Sequence, residues 1–93
     1  MPAKTSKAML RQASRARKDF LQIESEIGLS FTGIALATND KNKRKRTTQT
    51  ARNVYDTIMR LKKDIDLSDA EKAKLDRNLL QLKRELQSLG ESF

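Results

Sequence analysis

Apolar residues recur three and four positions apart through almost the whole chain, and that period belongs to the α-helix. In the first third they are Met9, Ala13, Ala16, Phe20, Ile23, Ile27, Phe31 and Ile34, spaced 4, 3, 4, 3, 4, 4 and 3. The spacing predicts one long amphipathic helix over about residues 6–38. Its seam starts small or flexible at Met9, Ala13 and Ala16 and becomes large from Phe20 onward. Gly28 and Gly33 interrupt the pattern, each at a cost of about 1 kcal/mol against Ala. Close approach of a second helix at these glycines is the reading adopted for them.

Residues from about 39 to 48 hold Asn39, Asp40 and Asn42 and no apolar side chain, which predicts a basic loop. Thr47, Thr48 or Thr50 would then cap a second helix running to about residue 64. Its inward face would carry Ala51, Val54, Tyr55, Ile58, Leu61 and Ile65, with Met59 off that face. A third helix, about 69–89, opens on a capping box at Ser68-Asp69-Ala70-Glu71. Leu75, Leu79, Leu82, Leu86 and Leu89 follow on one stripe, and Gly90 is placed to end it in the left-handed conformation.

The fold these elements predict is all-α: a small three-helix antiparallel (up-down-up) bundle with a long first helix, in a single domain over residues 1–93. The rods differ in length, roughly 50 Å for the first against roughly 25 and 30 Å for the others. The second and third helices therefore cover the first only from about Phe20 onward, where its seam is expected to be used up by packing. Met9, Ala13, Ala16 and Phe20 are left as a face for an unidentified protein partner or for a second copy in a homodimer.

Charge divides along the same lines. The 20 Lys and Arg outnumber 12 Asp and Glu, for a net charge of +8. Residues 1–20 carry a net +5, residues 21–40 a net −3, residues 41–63 a net +8 and residues 64–93 a net −2. Lys41, Lys43, Arg44, Lys45 and Arg46 form the densest basic run, with Arg11, Arg15 and Lys18 as a second set at the far end of the first helix. Clustered cations release condensed counterions from a polyanion, so weak, non-specific nucleic-acid binding is the alternative function. No aromatic interleaves with the run to stack on bases.

The chain has no Cys and no His, which excludes disulfides, thiol nucleophiles, thiolate metal sites and histidine general bases. Asp64, Asp66, Asp69 and Glu71 lack the length and the central glycine of a calcium loop, and capping accounts for them. Glu24 and Glu26 point about 200° apart on a helix and cannot work as an acid–base pair. Tyr55 belongs to the packed face of its helix. No cofactor, no metal and no catalytic residue is expected, and the protein is read as not an enzyme. The longest uninterrupted apolar run, Ile34 to Ala37, is too short for a membrane span, and a cytoplasmic location is expected. The acid-free first 18 residues also fit the composition of a mitochondrial transit peptide loosely.

Ile27-Gly28-x-x-Phe31 on the first helix, followed by Ala51-x-x-x-Tyr55 on the second, resembles the tetratricopeptide repeat. In that family a Leu-Gly-x-x-Tyr stretch packs on an Ala-x-x-x-aromatic stretch of the next helix. The match covers one copy, from about Glu24 to Lys63; Glu24 stands where the family has Trp, and 23 residues separate Gly28 from Ala51. The resemblance implies a helical hairpin capped by the third helix, and the role of a peptide- or protein-binding adaptor.

Overall fold

The computed structural model describes residues 7–93, so the expected helix start at Ser6 and the basic Lys4 lie outside the described residues. Three helices follow in order: α1 (Lys7–Ala37), α2 (Lys41–Leu61) and α3 (Asp69–Ser88), with a 3-10 turn at Lys62–Asp64 between the last two. No strand occurs among the described residues. The helices pack together as an up-down-up bundle, 59 Å along its longest axis. α1 is the longest element, its 31 residues outrunning the 21 of α2 and the 20 of α3.

The expected mismatch is present. Residues 11–17 of α1 are exposed, and Lys18 at the end of this stretch pairs with Glu71 of α3 at 3.5 Å. The core starts one turn later with Leu21 and continues through Ala51, Tyr55, Ile58, Leu75, Leu79, Leu82 and Leu86. Leu75, Leu79, Leu82 and Leu86 of α3 and Ala51, Tyr55 and Ile58 of α2 are buried as their spacing predicts, while Leu89, Val54, Leu61 and Ile65 of the same predicted faces are half-buried. Met59 covers an edge of this core.

The face that α1 turns inward is not the predicted one. Leu21, Ser25, Gly28, Thr32 and Ala35 are buried, again at spacings of 4, 3, 4 and 3. The large apolar seam lies roughly 120° further round the helix, and only Phe31 of its big side chains is half-buried. The reason is distance. Two helices must both reach α1, and small side chains let their backbones come closer than isoleucines would. A Cβ built on Gly28 would stand 2.9 Å from Leu82 Cδ2 and 3.2 Å from Val54 Cγ1, so α3 and α2 meet α1 at that glycine. Gly33 faces open space and supports no such approach.

The polar members of the inner seam are paired, as burial requires. Ser25 donates to the Gln22 carbonyl at 2.7 Å and accepts from Asn78 Nδ2 at 3.0 Å. Thr32 Oγ1 donates to Glu85 Oε1 at 2.6 Å, and Gln22 Nε2 donates to the Glu71 carbonyl at 3.0 Å. Ser25–Asn78 and Thr32–Glu85 share one sequence separation, 53 residues, and so fix the register of α3 on α1 at two points a heptad apart.

The ends of the helices are built from local chemistry. Ser68 and Glu71 form the reciprocal capping box that the sequence predicts. At the other end of α3, Gly90 takes φ 96°, while the Glu91 N–H donates to the Leu86 carbonyl and the Gly90 N–H to the Gln87 carbonyl. That is a Schellman ending, which only glycine adopts without strain.

The expected basic loop over 39–48 is corrected here. Asp40 caps α2, its carboxylate accepting from the Asn42 and Lys43 N–H groups at 2.9 and 3.1 Å, and the helix begins at Lys41. Lys and Arg are good helix formers, so a single acidic cap is enough to carry the run into the helix. None of the three threonines caps it: Thr48 is buried, while Thr47 and Thr50 donate back to carbonyls of the preceding turn.

Two consequences are measurable. Gly33→Ala, in an open helix interior, stabilises the protein by up to about 1 kcal/mol in chemical denaturation, whereas Gly28→Leu lowers stability by more than about 2 kcal/mol by forcing α3 away. The backbone bond from Lys43 holds the Asp40 carboxyl below its ordinary 3.8, and bonding to Ser68 holds Glu71 below its ordinary 4.5. Folded-state values below unfolded ones contribute stability at neutral pH that is lost as pH falls through the folded-state values. Circular dichroism on acidification will therefore show α2 and α3 weakening below about pH 4, and Asp40→Asn, which still caps, will flatten the α2 part of that response.

Candidate functional site

The exposed side of α1 holds the most distinctive surface of the molecule. Phe20, Ile23, Ile27 and Ile34 are 44%, 53%, 38% and 42% exposed, and Met9, Ala13 and Ala16 continue the line along the overhang. The stripe runs roughly 37 Å from Met9 to Ile34. Single exposed apolar residues are ordinary on a protein surface, whereas here several large ones share one line along the helix.

Met9, Ala13, Ala16 and Phe20 are thus brought together on one face, and the face extends three residues beyond them to Ile23, Ile27 and Ile34. Those three were assigned to intramolecular packing and are not used by it. The signal that separates the two seams is residue size. Leu21, Ser25, Gly28, Thr32 and Ala35 repeat at the same spacing, and the four after Leu21 are small enough for a crowded three-helix contact.

Beside the stripe, where α2 ends, Ala16, Arg17, Phe20, Leu61, Asp64 and Ile65 line a groove of about 390 Å³. Its walls are mainly hydrocarbon, so it extends the apolar stripe sideways from Phe20.

The basic residues fall into two groups that the fold keeps apart. Lys41, Lys43, Lys45 and Arg46 are exposed on the first turns of α2. None of these four forms an ion pair among the described residues. Arg44 is employed differently: its guanidinium donates to the Ala35 carbonyl at 3.2 Å and to the Thr38 carbonyl at 2.6 Å. It thereby satisfies the last carbonyls of α1 and ties them to α2. Arg11, Arg15 and Lys18 lie on the overhang, roughly 35 Å away along α1, and on the side of that helix turned away from the apolar stripe. With Ser14 and Glu71 they line a shallow polar pocket.

Tyr55 sits at the core edge, its ring 5.0 Å from that of Phe93 in an edge-on arrangement. Arg52 stacks 4.1 Å over Phe93 and donates to the Ser92 carbonyl at 2.7 Å, holding the last residues against α2. Burial, with help from Asp56, pushes the Tyr55 phenol above its ordinary 10.0, so it stays protonated at neutral pH. Among the described residues no three carboxylates converge on a possible metal position. No helix among them is long and apolar enough to cross a membrane.

Searches of protein-family models, curated proteins and solved structures find no match to this chain.

Proposed function

We propose that the protein is a non-catalytic helical interaction module that works through the outer face of α1. The observation that carries this reading is the line from Ala16 through Phe20, Ile23 and Ile27 to Ile34, left exposed while a seam of mostly smaller residues packs inside. Full burial of an isoleucine or phenylalanine side chain is worth about 1.5–3 kcal/mol, and these side chains, 38–53% exposed, forgo about half of it. A partner helix laid on the stripe recovers part of that. A photo-crosslinking amino acid at Ile23 tests the reading in living cells. Irradiation should yield a discrete protein adduct at Ile23 and none at the control position Lys74 on α3; an absence of adduct at Ile23 would sink the idea.

A second reading, binding of nucleic acid or another polyanion, is favoured by one observation. Lys41, Lys43, Lys45 and Arg46 project from the N-terminal turns of α2 and form no ion pair among the described residues, with the Asp40 carboxylate as their nearest counter-charge. The positive end of the helix dipole adds to their field. Arg44 is excluded from this set because it holds α1 to α2. Duplex DNA titrated at increasing salt should therefore bind the wild type weakly. The slope of log affinity against log salt should drop by up to about 3.6 when those four residues become Ala. Unchanged binding in that variant assigns the contact elsewhere.

A further inference from the structure

We infer that the occupant of the outer face is a second copy of this chain, whose α1 lies antiparallel along the first. This rests on the interaction reading above and names its partner. The stripe alternates four- and three-residue steps through Met9, Ala13, Ala16, Phe20, Ile23 and Ile27, and polar Ser30, beside the half-buried Phe31, occupies the position that continues the alternation to Ile34. That is a heptad seam, the pattern with which two helices interlock side chains over several turns. α1 therefore carries two seams, one closed by its own α2 and α3 and one open.

Orientation follows from size and charge. An antiparallel pair brings residues whose numbers sum to 43 face to face. Phe20 then meets Ile23 of the second copy, Ala16 meets Ile27, Ala13 meets Ser30 and Met9 meets Ile34. The large residues of the upper stripe fill against the small residues of the overhang. In the parallel alignment Ala13 and Ala16 would face themselves and leave the lower half of the seam unfilled.

Charge makes the same choice. Residues 7–18 carry five cations and no acid, so the parallel alignment lays +5 against +5. It also sets Asp19 beside Glu24 of the other chain. The antiparallel alignment moves the basic segment onto residues 25–36, whose one charged residue is Glu26, and puts Arg17 beside Glu24 across the seam. Its unfavourable flanking pair is Asp19 with Glu26, and Glu26 already has Lys74 of its own chain at 3.9 Å. Such flanking pairs decide partner and direction more than affinity.

The rod lengths fit this arrangement. The apolar side of each α1 overhang, which its own α2 and α3 leave exposed, comes to rest on the upper stripe of the other. The two bundles then stand at opposite ends of the pair. The groove at Ala16, Phe20, Leu61 and Ile65 lies where Ile27 of the second copy arrives.

Sedimentation of the full chain at about 100 μM, well above a micromolar Kd, should give twice the 10.6 kDa monomer mass. Ile23→Glu and Ile27→Glu, both on exposed positions, should each return the monomer mass with helix content preserved. Because the chain has no native cysteine, mild oxidation reads the direction. Ala16→Cys combined with Ile27→Cys should give a covalent dimer, and Ala16→Cys alone should not. A covalent dimer from Ala16→Cys alone would establish the parallel pair and overturn the orientation. A monomer at 100 μM overturns the self-association, and a photo-adduct at Ile23 with some other mass would then leave the interaction reading standing without it.

Discussion

The structure depends on how closely α3 approaches α1 at Gly28. With no side chain there, Leu82 and Val54 reach the α1 backbone, and the three helix axes converge around a core of aliphatic side chains. Two hydrogen-bonded pairs hold that approach in register, Ser25 with Asn78 on one side of the glycine and Thr32 with Glu85 on the other. Apolar packing alone tolerates sliding, since one leucine resembles the next. A buried serine or threonine displaced by one position would lose its partner and bear the full cost of an unsatisfied polar group. The polar seam thus contributes specificity where the leucine stripe contributes burial.

This choice of inner face determines the outer one. A helix offers a limited circumference. Once Leu21, Ser25, Gly28, Thr32 and Ala35 face inward, Phe20, Ile23, Ile27 and Ile34 are turned to solvent whatever their hydrophobicity. The excess length of α1 extends the same line past the end of the bundle. The outer surface is therefore a direct consequence of the packing geometry, and it connects the fold to the proposed role in assembly. The basic turns of α2 are a separate surface at the opposite end of the molecule from Arg11, Arg15 and Lys18, so the two basic groups act independently of each other.

Much of the architecture was legible residue by residue. Ser68, Glu71 and Gly90 each specify a helix end through a local bond or a backbone angle, and local chemistry needs no knowledge of the rest of the fold. The leucines of α3 and the Ala51, Tyr55 and Ile58 face of α2 also followed from spacing, because no competing seam exists on those helices. The start of α2 was misplaced for a local reason: Asp40 is a better cap than any of the threonines, and a run of lysine and arginine with no apolar residue resembles a loop only when helix propensity is ignored. Arg44, grouped with its neighbours by charge, was separated from them by the carbonyls of Ala35 and Thr38 that its guanidinium reaches.

The amino-acid order by itself determined that the chain would be three helices, that the first would be too long for the other two, and that cysteine and histidine chemistry was closed to it. Period, length and composition are properties of the chain before it folds. Which of the two seams on α1 would face inward was decided only by the tertiary structure. Hydrophobicity favoured the isoleucines, but two neighbouring helices had to come within reach of one backbone at once. Only the seam of Ser25, Gly28, Thr32 and Ala35 leaves room for both.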